Sequence, residues 1–193
     1  LQAFATLSNG AKIANPRFFR KDEKALAKAQ RKLAKADKGT LARKKAKQVV
    51  GRIHERISNK RSDFAHQVSR QLVNNFSILC FEDLAVKEMI ANKTQVFGHK
   101  LNKSIADVAW RQLVQFAMYK AESAGRRVVL VDPRNTSKRC SRCGSLVQKD
   151  LRIRLHHCPT CGLILDRDHN AAINILALGL QRISNQSVEA QVL

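Results

Sequence analysis

Four of the chain's five cysteines stand in two pairs of identical spacing, Cys140-x2-Cys143 and Cys158-x2-Cys161, with 14 residues between the pairs. Nothing else in the sequence restricts the fold as tightly. Each pair is followed by a glycine, Gly144 or Gly162, which permits the tight turn that points backbone amides at a thiolate. Zn2+ takes four soft ligands in a tetrahedron, and two such knuckles on facing hairpins supply them. The intervening loop is one residue short of the roughly 15–20 that the spacing rule quotes, a small departure. Two disulfides would need an oxidising compartment, and a redox CxxC normally uses one pair rather than two. The spacing therefore predicts a structural zinc ribbon over residues 136–165. Cys140, Cys143, Cys158 and Cys161 are its ligands, with no position left open for water. His156 and His157 adjoin Cys158 and are alternative ligands, although four cysteines suffice. Cys80 lies in an apolar run and reads as a small buried hydrophobe.

Charge narrows the partner. Of 193 residues, 36 are Lys or Arg and 15 are Asp or Glu, a formal net charge of +21. The hydrophobic share of 44% is enough to bury a core, which excludes a disordered basic tail. Such an excess needs a polyanion, with nucleic acid the first candidate and an anionic membrane surface the second. No apolar stretch approaches the ~18–20 residues of a membrane span. Leu1-Gln-Ala-Phe4 shows neither a charged n-region nor an apolar h-region, so the expectation is a chain that is not exported and is cytoplasmic. Position 1 is not Met, and the only methionines are Met89 and Met118, which points to a fragment or a processed product.

The charge is also localised. Between Arg17 and Arg61, seventeen Lys or Arg residues face Asp22, Glu23, Asp37 and Glu55, so well over half of the excess lies in one quarter of the chain. The same region has helical periodicity. Leu26, Ala29, Leu33 and Ala36 mark a first helix that stops at Lys38-Gly39. Val50, Ile53, Ile57, Phe64, Val68 and Leu72 mark a second with Thr40 as its N-cap. This predicts a basic helical hairpin over about 21–74 that tracks a phosphate backbone. Its candidate contacts are Lys28, Arg31, Lys35, Arg43, Lys44, Lys47 and Arg52, with Lys138 and Arg139 joining them from the ribbon.

Around these segments the pattern alternates. Asn9-Gly10 predicts a hairpin between two short strands, and Asn15-Pro16 ends it. Phe76–Leu84 and Val128–Val131 read as buried strands, residues 104–124 as a helix capped by Gly125, and 169–180 as an Ala- and Leu-rich helix. The result is an α/β chain divided into a core over 1–135, the ribbon over 136–165, and a closing helix and tail over 166–193. Glu82 stands at the end of the first buried strand. Asp166 and Asp168 stand where the last helix begins. Carboxylates suit a hard cation such as Mg2+, and Asp168 equally suits the positive end of a helix dipole.

Taken together, several motifs resemble the OrfB/TnpB family of insertion-sequence proteins, which is similar to the compact type V CRISPR effectors. They are Glu82-Asp83-Leu84 after an apolar strand, Thr136-Ser137-Lys138-x-Cys140-x2-Cys143-Gly144, Cys158-x2-Cys161-Gly162 and Asp166-Arg167-Asp168-x-Asn170-Ala171-Ala172-x-Asn174-Ile175. The resemblance covers nearly the whole chain, in order. It implies an RNase H-like (RuvC-like) core with an inserted zinc ribbon, and a transposon-associated, RNA-guided DNA endonuclease using Mg2+, with DNA and a guide-type RNA as partners. It places the second catalytic acid at Glu82 and the third at Asp168, with Asp166 as accessory neighbour. The family's first acid lies in a Gly-x-Asp-x-Gly strand upstream of the Phe4 hairpin. Because the sequence starts at Leu1, a C-terminal portion that is inactive or nearly so on its own is expected. The competing reading is a non-catalytic zinc-ribbon remnant that keeps only nucleic-acid binding.

Overall fold

In the computed structural model, which describes residues 3–85, 107–150 and 153–189, the chain first reverses at Asn9-Gly10. Strands β1 (Ala3–Thr6) and β2 (Lys12–Ala14) pair antiparallel across this turn. Gly10 sits at φ +86°, and the Asn9 side chain accepts the Ala11 N–H at 3.0 Å, which is why Asn-Gly is used here.

Two compact units follow from the pattern of contacts. One comprises Pro16–Gln71 and the described residues up to Phe116; the other comprises the residues up to Asn15, Leu72–Ala85 and those from Ala117 onward. The first unit is built on helices α1 (Phe18–Lys35) and α2 (Leu41–Asn75), the basic pair expected from periodicity. Thr40 caps α2 as predicted, accepting the Arg43 N–H at 3.2 Å. Leu26, Ile57, Ala65 and Val68 are buried, and the rings of Phe18 and Phe64 meet edge to face at 5.9 Å.

Helix α1 starts at Phe18, earlier than its apolar periodicity indicates, because a distant side chain caps it. Both Asp107 oxygens accept the Phe19 N–H, at 3.0 and 3.1 Å. The same carboxylate receives two bonds from the Arg61 guanidinium, at 2.7 and 2.9 Å, and is only 6% exposed. A buried charge is tolerated only when it is paired and hydrogen-bonded, and Asp107 is both.

The second unit holds two parallel strands, β3 (Ile78–Glu82) and β4 (Arg127–Val131), paired from Ile78↔Arg127 to Glu82↔Val131. Parallel neighbours need a crossover connection. This one returns through α3 (Trp110–Ser123), which ends at Gly125 (φ +62°) as the sequence indicates. The predicted start of that helix at Ser104 lies outside the described residues. Strands β5 (Leu155–His157) and β6 (Ile164–Asp166) form an antiparallel hairpin, and α4 (Arg167–Glu189) follows β6 without a break. It begins two residues before, and runs nine beyond, the 169–180 expected from composition.

Helix α4 packs against β3 and β4, on the face that presents Cys80 and Val131. The approach is close at Gly179, where a Cβ would fall onto the Cys80 side chain. The described residues thus form a mixed α/β chain with three two-stranded sheets. Among them no helix is long and apolar enough to cross a membrane.

Because Asp107 serves two partners at once, Asp107→Ala is expected to destabilise the helical unit by about 3 kcal/mol, leaving the Arg61 charge uncompensated. Asp107→Asn keeps an acceptor for the Phe19 N–H and should cost less. Urea unfolding of the two variants reads the difference; equal losses would show that capping contributes nothing.

Candidate functional site

The two knuckles are near copies of each other. In the first, Cys140 N–H donates to Ser145 O and Gly144 N–H to Cys140 O, both at 2.9 Å; in the second, Cys158 N–H donates to Leu163 O and Gly162 N–H to Cys158 O, also at 2.9 Å. Gly144 and Gly162 take φ of +77° and +71°, the left-handed region this turn requires. The folding of both brings four sulfurs within 4.8 Å of one another. Cys140 and Cys161 lie 3.6 Å apart, as do Cys143 and Cys158, far beyond the ~2.05 Å of a disulfide bond. A tetrahedron with sulfur ~2.3 Å from its centre has edges of about 3.8 Å, so the sulfurs stand at the separation a metal needs.

Their acidities diverge. Hydrogen bonds from the Ser145 side chain and backbone lower Cys143 to about 6. Cys161 is favoured by the Leu163 N–H, but burial and the three neighbouring sulfurs outweigh it and push the thiol up to about 12. Four sulfurs this close cannot all carry charge unless a cation joins them. The set is complete without histidine: His156 is fully buried with Nδ1 2.7 Å from Lys149 Nζ.

Two asparagines fasten the first knuckle to α4. Asn170 and Asn174, four apart, share one face of the helix. Asn174 Nδ2 donates to Thr136 O (2.8 Å) and Arg139 O (2.7 Å); Asn170 Nδ2 donates to Arg139 O (2.8 Å) while its Oδ1 accepts the Ser141 N–H (3.0 Å). Both are buried.

The carboxylates gather at the same end of this unit. Glu82 closes β3, and Thr136 Oγ1 donates to its Oε1 at 2.6 Å. Burial pushes the Glu82 carboxyl above its ordinary range; the Thr136 bond opposes this, and the negative charge of Asp168 adds to it. Asp168, in the first turn of α4, has both oxygens on guanidinium groups. Arg154 reaches Oδ2 at 3.0 Å, and Arg167 reaches Oδ1 at 3.0 and 3.1 Å.

Asp166 does a different job: it is the N-cap of α4, accepting the N–H of Asp168 at 2.9 Å and of His169 at 3.1 Å. It also pairs with Lys12 at 2.8 Å. Although burial opposes it, these bonds hold its carboxyl below the usual carboxylate range. His169 Nε2 lies 3.1 Å from Ser8 O, so the β1–β2 hairpin is tied to the start of α4 twice. Among the described residues, the four cysteines are the one group of three or more His, Cys, Asp or Glu placed to hold an ion.

Of the basic candidates, Lys28, Arg31, Lys35, Lys44, Lys47 and Arg52 are exposed on α1 and α2. Arg43 is turned inward, donating to Leu33 O (3.2 Å) and Ala36 O (2.8 Å) at the C-terminus of α1. Lys138 and Arg139 lie in the ribbon unit, and Arg139 also donates to Gly144 O at 3.2 Å. Sequence reasoning did not single out Thr136, Arg154 or Arg167 as partners of the carboxylates. For Asn170 and Asn174 the i, i+4 spacing was an available signal; for Thr136 no local signal exists.

Comparison with known proteins adds three findings. Family models described as "Probable transposase" and "Cas12f1-like, TNB domain" match residues 1–93 and 110–175 respectively. A Streptomyces pristinaespiralis protein, provisionally named an RNA-guided DNA endonuclease, is 41% identical over 184 residues, covering 93% of this chain and 44% of that protein. A TnpB-like protein of Acanthamoeba polyphaga mimivirus is 34% identical over 140 residues, covering 72% of this chain and 26% of that protein. The chain spans less than half the length of these curated relatives. Among solved structures, a cryo-EM structure of the Cas12f1–sgRNA–target DNA complex matches with a TM-score of 0.58 at 20% identity, covering 86% of this chain and 43% of that one. That likeness speaks for the fold.

Since Asp166 caps α4, Asp166→Ala is expected to cost about 1–2 kcal/mol at neutral pH. Asp166→Asn keeps a capping oxygen and loses only the exposed Lys12 pair, so it should cost well under 1 kcal/mol. Thermal unfolding of both variants tests this ranking, and equal losses would remove the cap from the account.

Proposed function

Starting from a chain that belongs to the OrfB/TnpB family of transposon-encoded proteins, we propose that it carries the nuclease core, zinc ribbon and basic helical pair of an RNA-guided DNA endonuclease. The observation that carries this is the convergence of Glu82 and Asp168: they come from a strand end and a helix start more than 80 positions apart, and the charge of one raises the pKa of the other. Carboxylates delivered by separate elements to one end of an α/β unit are the arrangement of an RNase H-like (RuvC-like) nuclease. The parallel β3–β4 pair covered by α4 supports that reading.

Glu82 and Asp168 offer the oxygen donors that Mg2+ requires. Glu82 and Asp168 would hold such a cation, which would supply charge neutralisation at a phosphodiester and activation of a water there. Arg154 and Arg167 balance the Asp168 charge. Two carboxylates under-ligate a metal pair, and the described residues supply no third. The four cysteines hold Zn2+ over residues 136–165 in a structural role, since every ligand comes from the protein. DNA and a guide-type RNA are the polyanions that the +21 charge serves. Lys28, Arg31, Lys35, Lys44, Lys47 and Arg52 contact phosphate from the helical pair, and Lys138 and Arg139 from the ribbon.

Three measurements test the proposal. Metal analysis should return one zinc per chain, and Cys140→Ser or Cys161→Ser should lose it and unfold the ribbon; zinc-free protein purified without chelator would refute the site. Fluorescence anisotropy on duplex DNA between ~50 and ~200 mM salt should give a log–log slope of about −5 if six phosphates are neutralised. A flat dependence would remove nucleic acid as the partner. When the chain is joined to the remaining segments of the Streptomyces relative, Mg2+-dependent cleavage should appear. Glu82→Ala or Asp168→Ala should abolish it with binding intact, and cleavage surviving in both variants would place the active site elsewhere.

A further inference from the structure

Thr136 is 4% exposed, with its hydroxyl between two acceptors, Glu82 Oε1 at 2.6 Å and Pro133 O at 3.1 Å. A hydroxyl has one proton to give. The 2.6 Å contact is in the range of a charge-assisted O–H···O− bond, so the proton goes to the carboxylate. The backbone that presents this hydroxyl is fixed from the opposite side, where Asn174 Nδ2 binds Thr136 O, and Asn170 and Asn174 together hold Arg139 O and the Ser141 N–H. Cys140 lies between the last two groups. A continuous run of bonds therefore leads from a metal-binding cysteine, through two buried asparagines, to one oxygen of Glu82.

We propose that Thr136 is a positioning residue for the Glu82 carboxylate, and that the first cysteine knuckle, clasped by Asn170 and Asn174, sets where Thr136 stands. The inference rests on the nuclease reading of Glu82 given above. With Oε1 held, the plane of the carboxylate is fixed, and its other oxygen has no hydrogen bond among the described residues. The backbone of β3 does not need Thr136, since Glu82 is already registered against Val131 and the Asp83 N–H donates to Val131 O at 2.8 Å. What the hydroxyl adds is an orientation of the side chain, at a carboxylate that would otherwise rotate about its own torsions at the end of the strand. The ribbon then does more than fold around its own ion: it holds part of the carboxylate site in register.

The test uses the 193-residue chain loaded with zinc. Mn2+ is titrated as the probe, and the paramagnetic broadening of the Glu82 and Asp168 amide resonances is read by NMR. In the unmodified chain both should broaden together. Thr136→Val keeps the shape and removes the donor, and should raise the Mn2+ concentration for half-broadening about ten- to a hundredfold, the worth of one lost hydrogen bond to a charged group. Thr136→Ser should restore it to within about twofold, while zinc content and the knuckle resonances stay unchanged in both. Should the valine variant lose zinc, Thr136→Ala reads the same titration. A Thr136→Val titration that overlays the unmodified one overturns the positioning role and leaves the nuclease reading intact. No broadening at Glu82 or Asp168 in the unmodified chain overturns both.

Discussion

Sulfur atoms 3.6 Å apart with no bond between them are in a position that four cysteines hold only when each has reason to be there. The reason is the paired turns: two glycines at positive φ, each knuckle closed by its own pair of 2.9 Å backbone bonds. Everything else in the strand-bearing unit is attached to this point. The first knuckle is bonded to Asn170 and Asn174, these belong to α4, and α4 lies over β3 and β4. Small modules of this kind have almost no apolar core, so their geometry depends on these turns and on any ion the four sulfurs hold. Whatever leans on the ribbon inherits that dependence.

Acidic residues are scarce in this chain, and the described ones are disposed with economy. Asp22 takes Arg56 and Lys60, at 2.6 and 3.3 Å; Asp107 takes Arg61; Asp166 takes Lys12; and Asp168 takes Arg154 and Arg167. Each of these carboxylates neutralises a cation where two elements meet, and all four serve more than one donor. A net charge of +21 repels itself, and the few negative groups sit where the chain must come together. The basic side chains left on the outer surfaces of α1 and α2 are the remainder after this internal pairing.

What could be read from the sequence was what is local. Asn9-Gly10, Thr40, Gly125 and the two CxxC-Gly knuckles each carry their conformation in a few consecutive residues, and each forms as its chemistry dictates. Glu82 and Asp168 could be marked as a pair because they flank recognisable elements. Residues whose partners lie far along the chain could not be placed. Asp107 caps a helix that begins at Phe18, Arg43 serves carbonyls of the preceding helix rather than solvent, and Thr136 donates to a carboxylate 54 positions away. Asp166 and Asp168 show the limit most clearly. They are chemically identical and two residues apart, yet the helix starts between them and gives one a capping role and the other a pair of guanidinium groups. Helix boundaries are the part of a fold that local pattern fixes least well.

Helix α4 touches β1, β3, β4, β5 and β6, the earliest of which lies more than 150 positions before it. That topology has a consequence for the order of events during synthesis. The helical pair and each cysteine knuckle are made of near neighbours and can close while the rest of the chain is still being added. The strand pair cannot be covered, and Glu82 cannot meet Asp168, until the residues of α4 have left the ribosome. Contacts of such long range form slowly and leave apolar strands uncovered in the meantime. The Glu82 and Asp168 carboxylates therefore come together late, and a nascent protein interrupted before Arg167 would present a folded basic hairpin beside strands that α4 has yet to cover.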